Sequence, residues 1–124
     1  MRKHCSEPYF SLLQSGRKKA EGRINIRDWK DLKVDDEIIF FCDDKEFKCR
    51  VTRKVYFDSI ESMVESVGHD LLPDHDLEDK DPIAILIAAD DYYSIFAEKC
   101  GSVDKVKSIV NRNGMVSVYF EPCD

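Results

Sequence analysis

From Lys19 to Arg27 the chain alternates without a break, and this run constrains the fold more than any other stretch. Ala20, Gly22, Ile24 and Ile26 point one way, while Lys19, Glu21, Arg23, Asn25 and Arg27 point the other. Successive side chains of a strand leave opposite faces of a sheet, so the run reads as a half-buried strand with Glu21 and Arg23 on one face. Just upstream, Glu7 to Gly16 reads as a short helix. Pro8 lies near its start, where a missing N–H costs nothing, and Gly16 can take the left-handed position at its end.

Two further strands follow. Glu37 to Cys42 (EIIFFC) has the apolar character of a buried strand, and Asp43-Asp44-Lys45-Glu46 turns the chain. Phe47 to Phe57 then alternates, with Phe47, Cys49, Val51, Val55 and Phe57 inward and Arg53 as the exception on that face; the two strands make a hairpin. Asp58-Ser59-Ile60-Glu61 has the form of a capping box with Asp58 as cap. Ile60, Met63, Val64 and Val67 continue as one apolar helical stripe. Asp70 to Asp81, with Pro73 and many acids, reads as a solvated loop. A longer helix starts at Pro82 behind Asp81, with Ile85, Ala88, Ala89, Tyr92 and Phe96 on one side. Met115 to Phe120 closes the chain as a strand. Helix, three strands, two helices, strand is an α+β order: early strands pair with a late one around a small β-barrel with flanking helices, and a doubly wound α/β sheet does not fit.

The 124 residues suit one domain spanning 1–124. No segment approaches the roughly 18 consecutive apolar residues of a membrane span, and the start lacks the apolar core of a secretory signal. The expectation is an intracellular protein, cytoplasmic first and nuclear second, with no membrane partner. Cys5, Cys42, Cys49, Cys100 and Cys123 are odd in number and widely spaced, which argues for reduced structural thiols rather than disulfides or zinc. Net charge is −6, yet residues 1–30 carry eight Lys/Arg against three Asp/Glu. A basic N-terminal quarter on an acidic body points to a local anion site, not a broad phosphate-tracking surface.

Gly16-Arg17-Lys18-Lys19-Ala20-Glu21-Gly22-Arg23 matches the pattern G-x-K-x-x-E-x-R, and through it the chain resembles the ASCH family of PUA-like barrels. The neighbouring pieces agree: Glu7-Pro8-Tyr9-Phe10 before the motif, Asp35-Asp36-Glu37-Ile38 resembling a "GD-x-I" strand entry, Val55-Tyr56-Phe57-Asp58-Ser59-Ile60 resembling a "Y-x-S-F" step, and Gly114-Met115-Val116-Ser117-Val118 resembling the last strand. Asp35 stands where the family pattern has glycine, so a turn of different construction is expected there.

The resemblance implies a PUA-like barrel with a polar cleft for RNA or a nucleotide-like ligand. Gly16, Lys18, Glu21, Arg23, Tyr56 and Ser59 are its expected binding residues. Lys18 would lie at the lip, with Glu21 and Arg23 along the wall; Lys18 and Arg23 can hold a phosphate while Glu21 accepts from a base or sugar. Arg17 and Lys19 fall at the rim. The family also includes hydrolases, so the alternative is an enzyme acting on RNA or a modified nucleoside, of ribonuclease or N4-acetylcytidine amidohydrolase type, with Lys18 and Glu21 catalytic. In the amidohydrolase branch a threonine occupies the position of Glu21 and a downstream glutamate completes the site; Glu65, Asp70 and Asp74 are the nearby carboxylates here. A third reading is a protein-interaction module using the 82–100 helix. No cofactor is implied. His69, Asp70, Asp74, His75 and Asp76 lack ligand-type spacing, so no metal site is expected, and His4 beside Cys5 lacks a third catalytic partner. Among Trp29, Tyr56, Tyr92 and Tyr93, Tyr56 is the best stacking candidate because it lies on the polar side of its strand.

Overall fold

Strands form where the alternation ends in turn residues, and a computed structural model, describing every residue except Asp76, Glu78, Asp79 and Asp124, shows five of them in one sheet. They are β1 (Arg2–His4), β2 (Ala20–Ile24), β3 (Glu37–Cys42), β4 (Lys45–Phe57) and β5 (Met115–Pro122). The helices are α1 (Tyr9–Gln14), α2 (Arg27–Asp31), α3 (Ile60–Val67), α4 (Pro82–Cys100) and α5 (Val103–Asn113), with a single 3₁₀ turn at Gly68–Asp70. The sheet order is β1-β3-β4-β5-β2, antiparallel except for the parallel β1–β3 pair. The result is an α+β fold whose mixed sheet curls into a half-barrel.

Each face of the sheet has its own core. Inside the curl, Ile38, Phe40, Cys49, Val51, Val116 and Val118 pack with Phe10 and Leu13 of α1 and Trp29 of α2. On the convex side, Ala20, Ile24 and Met115 meet α3, α4 and α5. The stripe Ile60, Met63, Val64 and Val67 is buried as its spacing requires; on α4, Ile85, Ala88, Ala89 and Tyr92 are buried together with Tyr93, while Phe96 is only partly buried. Asp81 caps α4 by accepting from the Ile83 N–H.

β4 changes sides partway along. Val51 pairs with Phe120 and Arg53 with Tyr119, so Thr52 is an extra residue and the strand bulges. Cys49 and Val51 therefore face the inner core, but Phe57 packs on the convex side and Lys54 and Tyr56 turn inward. The expected uniform inward row from Phe47 to Phe57 is overturned, and Arg53, whose guanidinium lies over the Tyr119 ring, was its visible symptom.

Other expectations shift as well. The cap of α3 is Ser59, boxed with Ser62, not Asp58 with Glu61; Glu61 instead accepts from the Tyr93 hydroxyl at 2.7 Å. The β2 strand ends at Ile24, short of the expected Arg27, and α2 begins at that arginine. β1, α2 and α5 were not foreseen. The 70–81 stretch is not simply solvated: Leu71, Leu72 and Leu77 are buried in the convex-side core. Asp35 adopts φ +77, so the turn before β3 has a left-handed residue there, a conformation Asp tolerates better than most.

Candidate functional site

β1 and β2 are the two edges of the sheet, and the curl brings them together. No ladder of backbone hydrogen bonds pairs them; side chains span the seam. Arg23 Nη2 donates to the His4 carbonyl at 3.3 Å, and the Cys5 thiol donates to Glu21 Oε2 at 3.7 Å. Gly16 supplies the preceding turn with φ +82; a Cβ there would meet nothing within 4 Å, so its backbone angle is what requires glycine. The Lys18 N–H then returns to the Leu12 carbonyl at 3.0 Å, fixing where the lysine leaves the turn.

Lys18, Glu21 and Arg23 form a compact ion cluster. Lys18 Nζ lies 3.5 Å from Glu21 Oε1, and Arg23 Nη2 lies 3.3 Å from Glu21 Oε2. The ammonium also donates to the Leu71 carbonyl and sits 5.5 Å from the centre of the Tyr9 ring. Arg23 stacks over Trp29 at 4.9 Å. Lys18 is 1% exposed and Glu21 6%, so neither forms a solvent-facing lip or wall as expected. Leu71, from the stretch read as a loop, covers the lysine. Arg23, with 18% of its side chain exposed, is the open member.

Burial and charge act against each other here. Burial alone would raise the Glu21 carboxyl, but the Lys18 and Arg23 charges outweigh it and hold the group below the usual carboxylate range. Burial pulls the Lys18 ammonium below the ordinary lysine value, against the opposing pull of Glu21. The Cys5 thiol is pushed up to about 12, first by burial and then by Glu21. Tyr92 is raised well above its ordinary value by burial and the same carboxylate, and Tyr9 is raised by burial, Asp91 and Glu21. The cluster is thus one carboxylate held between two cations and ringed by protonated thiol and phenol groups.

The sheet register places Tyr56. Arg23 and Tyr56 both pair with Val116, from its two sides, so all three share one row on the inner face. Two strand spacings put the Cα atoms of Arg23 and Tyr56 about 10 Å apart. One side of the Tyr56 ring lies against Gly114, where an added Cβ would come within 2.5 Å of it; the residue is still 55% exposed. Ser59 is occupied elsewhere, its hydroxyl accepting from the Ser62 N–H and bonded to Ser62 Oγ.

The remaining candidates are dispersed. Arg17 pairs with Asp74 at 2.8 Å on the surface, and the Lys19 N–H donates to the Asp70 carbonyl. Glu65 is exposed on α3. His75 Nε2 lies 2.9 Å from Asp91, His69 Nε2 accepts from the Leu77 N–H, and Asp76 lies outside the described residues. Among the described residues no three His, Cys, Asp or Glu side chains are grouped to hold a metal ion. His4 packs edge-on to Phe41. A depression of about 500 Å³ lies away from the cluster, between Met1, Arg2, Asp28, Asp31, Asp36 and Glu37. On the outer side of α4, Ile83, Leu86 and Ile87 are exposed.

Sequence reasoning missed Cys5, Tyr9, Leu71 and Tyr92 as members of the site, and gave Trp29 no link to Arg23. Tyr9 and Tyr92 read as helix residues facing a core, and nothing in their spacing says which polar group a phenol will reach. No helix among the described residues is long and apolar enough to cross a membrane.

The family model described as "ASCH domain" matches residues 4–105. Two solved structures share the fold. The crystal structure of hypothetical protein PH0355 superposes with a TM-score of 0.76 at 24% identity, covering 98% of this chain and 97% of that one. The solution NMR structure of protein PF0455 from Pyrococcus furiosus gives a TM-score of 0.64 at 20% identity, covering 100% and 99%. No curated protein matches the sequence.

Proposed function

The chain belongs to the ASCH domain family, and from that premise we propose that it binds RNA or a nucleotide-like ligand at the open, Arg23 end of the ion cluster. The observation that carries this reading is the shared row of Arg23 and Tyr56, a partly exposed cation and an exposed aromatic face on one surface. A phosphate takes the guanidinium, and an unpaired base stacks on the free side of Tyr56. Glu21 is fully engaged by Lys18, Arg23 and Cys5, so its role is to hold the cations; Lys18 keeps the cluster's net charge positive from behind. The test is fluorescence anisotropy of a short single-stranded RNA titrated at several salt concentrations. Wild type should bind with a salt-dependent affinity, and Arg23→Ala and Tyr56→Ala should each weaken binding roughly tenfold. Equal affinity across the three proteins would sink the reading.

A second reading is supported by one observation, the desolvated Lys18 beside Glu21. A lysine held below its usual pKa gives up its proton more readily than a solvated one, which suits a hydrolase acting on RNA or a modified nucleoside. Mass spectrometry of short RNAs, some containing N4-acetylcytidine, after incubation with wild type and with Lys18→Met separates the two. A mass change made by wild type alone establishes an enzyme, and the mass lost tells deacetylation from strand cleavage.

A further inference from the structure

We infer that Lys54 is a positioning residue for the Arg23 end of the site, acting through α2 and Trp29. The inference rests on the binding reading for its consequence, but its geometry stands apart from any ligand. α2 has five residues, too few for a helix to be stable by itself. It has no side-chain cap at its start, and the carbonyls of its last turn lack intrahelical partners. Lys54 supplies them. Its Nζ donates to the carbonyls of Trp29 at 2.7 Å, Lys30 at 2.9 Å and Leu32 at 3.0 Å, which uses all three ammonium donors. The β4 bulge makes this possible. Without the extra residue at Thr52, position 54 would face the convex side and could not reach α2.

What Lys54 holds is the platform of Arg23. Trp29 is buried and projects from the middle of α2, and the Arg23 guanidinium lies over its ring. The other partners of that guanidinium, Glu21 Oε2 and the His4 carbonyl, are both at 3.3 Å and fix it from one side only. The indole sets the plane in which the fork meets a phosphate, and a planar fork is worth most when its orientation is set before the ligand arrives. Loss of the Lys54 ammonium leaves three carbonyls without a donor, loosens the last turn of α2 and frees the Trp29–Arg23 stack.

Nitrogen-15 NMR of the Arg23 side chain tests this directly, because the Trp29 ring current displaces its Nε–Hε signal from the position of a free arginine. In Lys54→Met that signal should move toward the free position while the amides of Ile38 and Phe40, in the same core but not paired with Lys54, stay in place. Lys54→Gln, with two donors, should give a smaller shift and covers the case in which Lys54→Met does not fold; Lys54→Arg should restore the signal. An Arg23 signal unmoved in folded Lys54→Met or Lys54→Gln overturns the inference. With a hexameric single-stranded RNA as probe, Lys54→Met and Arg23→Ala should each lose roughly tenfold in affinity, and the double variant should lose little more. Failure of wild type to bind the RNA defeats the binding reading and leaves the spectral result to decide the role of Lys54. Full binding by Lys54→Met with an unmoved Arg23 signal defeats the inference alone.

Discussion

Lys18 donates its ammonium to the carbonyl of Leu71, a residue 53 positions further along the chain. This bond ties the segment after α3 to the ion cluster, and two buried leucines reinforce it. Leu71 and Leu72 contribute about 1.5–3 kcal/mol each through burial, whereas an exposed pair such as Arg17–Asp74 contributes about 0.2–1 kcal/mol. The leucines therefore decide where the segment lies, and the Leu71 carbonyl comes with them.

Removing the carboxylate should harm the fold more than removing the lysine. Glu21→Gln leaves two buried or half-buried cations facing each other and should cost about 3–5 kcal/mol, the range for breaking a buried ion pair. Lys18→Met removes a desolvated charge, fills a similar volume and leaves Glu21 paired with Arg23 and Cys5, so it should cost clearly less. Urea denaturation of both variants checks the order; Lys18→Met falling further than Glu21→Gln would contradict it.

Acid should unfold the chain partly through Glu21. Its folded pKa is depressed below the unfolded value, so the folded state binds its proton less readily. The stabilisation is present above the usual carboxylate range and is lost as pH falls through the depressed folded value. Stability measured between pH 6 and pH 3 should fall in wild type, and the fall should be shallower in Glu21→Gln. Parallel curves for the two proteins would remove Glu21 as a cause.

Alkylation should sort the five thiols. Cys5, Cys42 and Cys49 are buried, and burial pushes Cys5 and Cys49 each up to about 12, so at pH 8 they are neutral thiols without access to reagent. Cys100 and Cys123 are partly exposed. Iodoacetamide treatment of the folded protein should give at most two adducts by mass spectrometry and five after unfolding. Rapid labelling of Cys5 in the folded protein would mean that the seam opens readily.

Gly114→Ala should disturb Tyr56 at a distance from the ion cluster. Position 114 has φ +74, and the new methyl would collide with the phenol ring. Such a backbone conformation costs a non-glycine residue roughly 1 kcal/mol or more, before the ring is displaced. Melting temperature should drop and RNA affinity with it, whereas Tyr56→Ala should lower affinity with little change in melting temperature because the residue is largely exposed. Loss of stability without loss of affinity in Gly114→Ala would argue against stacking on Tyr56.

Ser117→Ala should be neutral or stabilising. Ser117 is fully buried on the convex side of β5, and its hydroxyl has no hydrogen-bond partner among the described residues. An unsatisfied buried hydroxyl costs about 1–3 kcal/mol, which alanine would relieve at the expense of a small cavity. A large fall in melting temperature would show that the hydroxyl has a partner in solution.

Alternation made the pairing of Glu21 and Arg23 legible, since residues two apart on a strand share a face whatever surrounds them. It did not reveal that this face is covered. The covering comes from a three-residue strand, a five-residue helix and a pair of leucines among acids, each too short to carry a period. The stripes of α3 and α4 were legible because eight or more residues repeat one spacing. α5 offered similar signs, Ser102 as cap with Val106, Ile109 and Val110 at helical spacing, but its low hydrophobicity hid them. The bulge in β4 showed only as the misplaced Arg53. A single inserted residue leaves no other trace in a pattern of period two, yet it decides where Lys54 and Tyr56 point.

On the proposed binding reading, the seam between β1 and β2 joins recognition to folding in the same atoms. Arg23, the proposed ligand contact, and Glu21, which holds it, also fasten the two free edges of the sheet. A screen that randomises these positions for new specificity would lose clones because the half-barrel springs open, and would score them as non-binders. Retuning what this chain recognises has to begin away from the clasp, at Tyr56 and the exposed positions beside it, where the sheet is already closed by its own backbone.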